Sequence, residues 1–288
     1  MEVLPFMRYL RKNKVMHLLF ALLLSGTLTA CQPTDNPSPD PSAVEPFYSL
    51  TREDSRTEPR SPTAVSLADI RDELLITDVG DYVLSGRLSG GVHIRAEDQV
   101  VHLFLKDVGI TAVKGPAIYV ESAGKVVITV CGGTENELSD GGSHTAKDTD
   151  ACLFSMSDLT INGTGQLRIS GFYKDAVHAK DYLKIADADL TVQSKRDGLH
   201  GNDGILITGA KVAVESEGCG IRTTKSGKAA KGNAEITDAE LSVIAGEYGI
   251  SSERNVYMTG SSAFIKGIVE NIHAGGEIHI EEGCLRNE

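Results

Sequence analysis

The 288-residue chain carries 28 Lys and Arg against 40 Asp and Glu, a formal net charge of −12. So acidic a chain lacks the basic surface that non-specific binding to nucleic acid or to an anionic membrane requires. Thirty glycines, 5% aromatics and no Trp argue against an all-helical fold, since each glycine costs a helix about 1 kcal/mol, and 41% hydrophobic content argues against disorder.

The chain opens with a basic stretch (Arg8, Arg11, Lys12, Lys14) and an apolar run from Val15 to Leu24. That run is too short to span a bilayer and suits a secretory signal over residues 1–30. Leu28-Thr29-Ala30-Cys31 is similar to a bacterial lipobox, which implies lipidation at Cys31 and delivery to the outer membrane or cell surface. An ordinary cleaved signal with a chance cysteine is the alternative. Removing residues 1–30 takes the net charge from −12 to −15. Residues 31–66 hold seven of the nine prolines and no hydrophobic period, so they read as an extended tether before a domain at 67–288. Leu67–Ile76 has helical apolar spacing and is expected to cap that domain. The remaining cysteines, Cys131, Cys152, Cys219 and Cys284, either pair in an oxidising compartment or lie buried as small hydrophobes.

An internal period decides the fold. Leu153, Val177, Leu199, Ile221, Ile250 and Ile272 open similar segments, at steps of 24, 22, 22, 29 and 22 residues. In five of the six, an apolar residue follows six positions later (Leu159, Leu183, Ile205, Val256, Ile278); the exception carries an insertion near 226–232. A third apolar pair recurs after a short turn, as in Leu167/Ile169, Leu190/Val192 and Leu241/Val243. Three short alternating stretches per unit place one side of each strand inward, and only stacked copies bury it. The unit is too short for a propeller blade and lacks the leucine-rich-repeat signature. The expectation is an all-β, right-handed, single-stranded parallel β-helix of eight to nine coils. No amphipathic cap follows the last coil, so self-association or the charged tail is expected to cover that edge.

Several phrases agree on a resemblance: Thr77-Asp78-Val79-Gly80-Asp81-Tyr82, Gly115-Pro116-Ala117-Ile118, Gly132-Gly133-Thr134-Glu135-Asn136, Ser157-Asp158-Leu159-Thr160-Ile161-Asn162-Gly163, and the recurrent Asp-Gly/Ala-Leu/Val-His. Together, over about residues 74–285, they resemble the bacterial exported carbohydrate-binding domain-containing family, with a β-helix similar to pectate lyases. The resemblance implies binding of acidic polysaccharide of the polygalacturonate type, with Ca2+ on the helix surface, and does not by itself imply lyase activity.

The repeat also aligns charges. Asp175 stacks on Asp197, and Asp181 on Asp203. Carboxylates one strand apart repel by roughly 3–4 kcal/mol at an effective dielectric near 20, so they call for raised pKa values or a cation. A Ca2+ site using Asp175, Asp181, Asp197, Asp203 and Asn202 is one reading; turn aspartates accepting backbone hydrogen bonds are the other. A second row, His178, His200 and Arg222, with Lys174, Lys180 and Lys225 beside it, is expected to meet the sugar chain. Two histidines without a third ligand make a poor transition-metal site. A lyase base would have to come from Arg222, Lys180 or Arg196, none of which stands apart. A structural or adhesive surface lipoprotein is the third class considered.

Overall fold

The computed structural model describes residues 47–227 and 231–286. The signal segment 1–30, Cys31 and the first part of the tether lie outside the described residues. Each coil places one short strand in each of three parallel sheets. The first sheet has nine strands: Glu73–Ile76, Gly91–Arg95, Ile118–Ser122, Ala151–Ser155, Asp175–Ala179, Leu199–Gly201, Ile221–Arg222, Tyr248–Ser252 and Glu270–Ala274. The second runs through Lys125–Val130, Asp158–Asn162, Tyr182–Ala186, Gly204–Thr208, Asn233–Thr237, Val256–Thr259 and Ile278–Ile280. The third runs through Glu135–Ser139, Gln166–Gly171, Asp189–Ser194, Lys211–Ser216, Glu240–Ala245 and Ser262–Gly267. A long strand, Val100–Thr111, joins the last two sheets, pairing Lys125–Val130 with its first half and Glu135–Ser139 with its second. The fold is a parallel β-helix of nine coils among the described residues.

The apolar repeat is the core. Leu153, Val177, Leu199, Ile221, Ile250 and Ile272 pair in register down the first sheet and point inward. Leu159, Leu183, Ile205, Ala234 and Val256 do the same in the second sheet, and Leu167, Leu190, Val212, Leu241 and Ala263 in the third. Each fully buried Leu, Ile or Val contributes about 1.5–3 kcal/mol.

The corner between second and third sheets shows how the turns are built. Gly163, Asp187, Gly209, Asp238 and Gly260 succeed one another there, with φ of 98, 50, 61, 52 and 58°. Only Gly, Asp and Asn enter that left-handed region at low cost. Glycine and aspartate alternate because each aspartate covers the next glycine. A Cβ at Gly209 would sit 2.3 Å from Asp187 Oδ1, and one at Gly260 would sit 2.2 Å from Asp238 Oδ1.

Two expectations are corrected. Leu67–Ile76 is not a helical cap: only Leu67–Asp69 forms a 3-10 turn, and Glu73–Ile76 is the first strand of the first sheet. Leu74 and Ile76 gain in-register partners, Val92 and Ile94, which an isolated helix would forgo. The N-terminal edge is closed instead by the strand Thr63–Ser66, pairing with Tyr82–Ser85, and by fully buried Leu67.

The tether also stops earlier than residue 66. Residues 47–60 cross the outside of the second sheet from late coils to early ones. Glu235 accepts the amides of Phe47 and Tyr48 at 3.0 and 3.1 Å. Buried Asp54 accepts from Lys125 Nζ at 2.7 Å, Lys184 Nζ at 3.0 Å and Thr160 Oγ1 at 2.7 Å. Arg56 makes a bidentate pair with Asp81, at 2.6 and 2.8 Å, beside the Phe104 ring. Proline content marked the segment as extended, which it is, but its charges have partners on five different coils.

At the other end, Ala263 donates to the carbonyl of Cys284 at 2.7 Å and accepts from Arg286 N at 2.7 Å, so the tail begins to cover the third sheet. The four described cysteines are free thiols; Cys152, Cys219 and Cys284 are buried, and burial pushes the Cys152 thiol well up.

Candidate functional site

The outward residue that follows each inward one in the first sheet forms a single row. His93, Tyr119, Phe154, His178, His200 and Arg222 succeed one another in register. His93 and Tyr119 stack at 4.8 Å, and His178 and His200 at 3.9 Å, only 6° from parallel. Phe154 bridges the two pairs, 5.8 Å from Tyr119 and 5.5 Å from His178. The expected row of His178, His200 and Arg222 is therefore the later half of a longer aromatic ladder. Tyr119 and Phe154 were readable in the repeat as the residues after Ile118 and Leu153; their apolar character hid their outward direction.

At the corner leading into these strands lie the stacked aspartates. Asp175 Oδ1 accepts the amide of Asp197 at 3.0 Å, and Asp197 Oδ1 accepts the amide of Cys219 at 2.9 Å. Each aspartate thus holds the next coil's turn. Arg196 lies across Asp175, with Nε 2.5 Å from Oδ1 and Nη2 2.6 Å from Oδ2, and also reaches Asp150 at 2.8 Å. Arg222 Nη1 pairs with Asp197 at 3.0 Å. Burial works to raise the carboxyl of Asp175, but hydrogen bonds from His200 and Arg196 hold it below the ordinary range. The repulsion expected between stacked carboxylates is relieved by the chain's own guanidinium groups.

The second pair is separate. Asp181 and Asp203 lie past the other end of these strands, in the turns that lead into the second sheet. Asp203 pairs with Lys225 at 2.8 Å and with Lys231. Burial and the charges of Asp203 and Asp158 raise the carboxyl of Asp181. Asn202 Oδ1 accepts from Thr224 Oγ1 at 2.8 Å and lies 3.1 Å from His178 Nε2.

These five residues do not fit a resident Ca2+, which needs six to eight converging oxygens. They form two groups, and Asp175, Asp197 and Asp203 are already engaged by Arg or Lys. Nor do the histidines make a chelate. Asp175 Oδ2 and the Nδ1 atoms of His178 and His200 lie within 4.8 Å of one another. The lone pairs of stacked rings, however, lie in parallel planes and do not converge on a point between them, and His178 Nδ1 is already bonded to Asp150 at 2.6 Å. Burial and hydrogen bonding are those of a closed network: against its own burial, Asp150 is held well below the usual carboxylate range by His178 and Arg196.

Of the expected sugar contacts, His178 and His200 are only 2% and 6% exposed, their rings tied to Asp150, Asn202 and Asp175. They support the face from below rather than meet a ligand. Lys225 is paired with Asp203, and Lys174, Lys180 and Arg222 reach the surface. Lys174 Nζ stands 4.9 Å from the Tyr173 ring centre and Lys180 Nζ 5.3 Å from that of Phe154, neither in an ion pair among the described residues. Arg196 and Arg222 expose 36% and 39% of their side chains above Asp175 and Asp197, at 0% and 1%. What approaches from solvent therefore meets cations with their counter-charges buried behind them.

Comparison with known proteins agrees with this architecture. The family model of the carbohydrate-binding domain-containing protein matches residues 71–285. The chain belongs to this family. A carbohydrate-binding domain-containing protein of Acetivibrio thermocellus is 31% identical over 221 residues, covering 74% of this chain and 77% of that one. A solved structure, the polysaccharide lyase-like protein from C. thermocellum as its gadolinium derivative, superposes with a TM-score of 0.72. It is 25% identical and covers 78% of this chain and 98% of its own. Carbohydrate binding is thus the family property, on a polysaccharide lyase-like fold.

Proposed function

We propose that the outer face of the first sheet binds an acidic polysaccharide of the polygalacturonate type without cleaving it. The proposal also places the domain at the cell surface, exported by residues 1–30 and anchored through Cys31. The observation that carries it is the layering of charge, with buried Asp175 and Asp197 beneath half-exposed Arg196 and Arg222, flanked by Lys174, Lys180 and Lys225. A uronate carboxylate meets donors there, although the whole chain is acidic. Coils repeat at about 4.8 Å, on the scale of one sugar ring, so successive residues of a glycan meet equivalent positions.

Elimination needs an unprotonated base to accept the proton of the acidic C–H. The hydrogen bonds of Arg196 to Asp175 push its guanidinium further up, and, against burial, the charge of Asp197 does the same for Arg222. Both are therefore held protonated, as binding groups rather than bases. Because the acidic ladders carry their own counter-charges, no bound Ca2+ is needed to assemble this face.

A glycan array tests the reading. Signal on polygalacturonate, fading as salt rises, is expected, with no growth of unsaturated-uronate absorbance when the polymer is incubated with the protein. Absence of signal on every uronate polymer at low salt would refute it.

A further inference from the structure

The outer face of the third sheet is built differently from the first. A hollow of about 610 Å3 runs over its strands. The middle row of outward residues across the sheet reads Arg87, Gly109, Glu137, Arg168, Thr191, Ala213 in register. Small residues form the floor and longer side chains the walls. Arg87 lies flat over Gly109, where a Cβ would come 2.6 Å from its Nη1.

On the first sheet every buried acid is paired. Here the side chains of Arg87, Arg168, Lys211, Glu135 and Glu137 make no hydrogen bond or ion pair among the described residues. Glu137 and Arg168 are direct neighbours across two strands, yet they do not close on each other. At the end of the Arg168 strand a second hollow, of about 220 Å3, is lined by Phe172. Phe172 is 55% exposed and stacks on no other ring among the described residues.

We infer that this face is a second glycan surface, taking a neutral, hydroxyl-rich chain that lies over the groove and runs along the Arg168 strand to Phe172. Cations and carboxylates nearly balance in the groove, so it exerts little pull on a polyanion. Hydroxyl groups both donate and accept, and so serve carboxylate and guanidinium alike. Phe172 supplies an exposed apolar platform for a sugar face beside the groove. The inference rests on the family's carbohydrate binding but not on the acidic ligand proposed for the first sheet.

Calorimetric titrations with cellohexaose, laminarihexaose, maltohexaose and oligogalacturonate separate the two faces, using wild type, Phe172→Ala, Arg168→Ala and Lys180→Ala. At least one neutral oligomer should bind, and its affinity should fall about tenfold in Phe172→Ala and in Arg168→Ala. Lys180→Ala should leave that affinity unchanged and weaken only oligogalacturonate. All three residues are at the surface; melting temperatures and amide chemical-shift maps of the third sheet check that the fold is kept and where the oligomer sits. If no neutral oligomer binds wild type, or if binding survives both third-sheet substitutions, the inference fails. The oligogalacturonate arm reports on the first sheet separately.

Discussion

Arg196 lies across the buried carboxylate of Asp175, with Nε 2.5 Å from Oδ1, while Asp175 also holds the amide of Asp197 one coil on. One carboxylate therefore ties a cation at the ligand face to the backbone of the next coil. Replacing Asp175 by Asn keeps an acceptor for the amide but strips the guanidinium of its counter-charge. Removing one partner of a fully buried pair costs about 3–5 kcal/mol, and of an exposed one under about 1 kcal/mol. With Asp175 buried but Arg196 36% exposed, the cost is set between the two, about 2 kcal/mol. Asp175→Asn should lose stability on that scale in denaturant melts; a loss under about 1 kcal/mol, the range of an exposed pair, would show that Arg196 is held mainly by Asp150.

Chelation should do little. With Asp175, Asp197 and Asp203 paired within the chain, EDTA is expected to move the melting temperature by less than about 2 °C, below the effect of 1 kcal/mol for a domain of this size. A larger drop, reversed by Ca2+ alone, would mean that an ion contributes to the folded state.

The strap across the second sheet is part of the folded unit. Asp54 is buried with Lys125 and Lys184 on it, and against burial these hydrogen bonds hold its carboxyl far below the ordinary range. Asp54→Ala should cost about 3 kcal/mol or more by leaving both ammonium groups without their partner. It should also speed proteolysis within residues 47–60, followed by mass spectrometry. Cleavage there at the wild-type rate would count against the strap's dependence on Asp54.

Stability should fall on the acid side in a window set by His102. Its ring stacks on Phe104 at 4.2 Å, bonds Thr129 at 2.6 Å and is pushed down to about 4, chiefly by burial. The unfolded chain binds this proton near pH 6.5 and the folded one only near 4, so stability is complete above pH 6.5. It declines between 6.5 and 4, by a total on the order of 3 kcal/mol. His102→Gln should flatten that part of the pH profile; an unchanged slope would assign the decline to other groups.

Much of the architecture was legible because a β-helix repeats its instructions. The inward residues Leu153 through Ile272 repeat nearly every 22 positions, and stacking admits one register for them. Leu67–Ile76 misled because Leu67, Ile70 and Leu74 have helical spacing while Leu74 and Ile76 alternate as in a strand, and only the neighbouring coil decides between them. The strap was hidden for a related reason. Asp54 and Arg56 look like ordinary polar residues of a proline-rich linker, and their partners Lys125, Lys184 and Asp81 are remote in sequence. At the candidate site, alignment of Asp175 with Asp197 and of His178 with His200 followed from the period alone. The presence of Arg196 between the aspartates did not, since the aligned positions in the neighbouring coils are Lys174 and Gly218 and no arginine ladder repeats there.

The central claim is that the first sheet presents cations to an acidic glycan, and Lys174 and Lys180 test it most directly because neither holds an ion pair that folding requires. Oligogalacturonate should be titrated by calorimetry into wild type and into Lys174→Ala/Lys180→Ala, at low and at physiological salt. Binding to wild type should be saturable and weaken with salt, and the double variant should lose about tenfold or more in affinity with its melting temperature unchanged. Equal affinity of the two proteins, or no binding to wild type even at low salt, would contradict it.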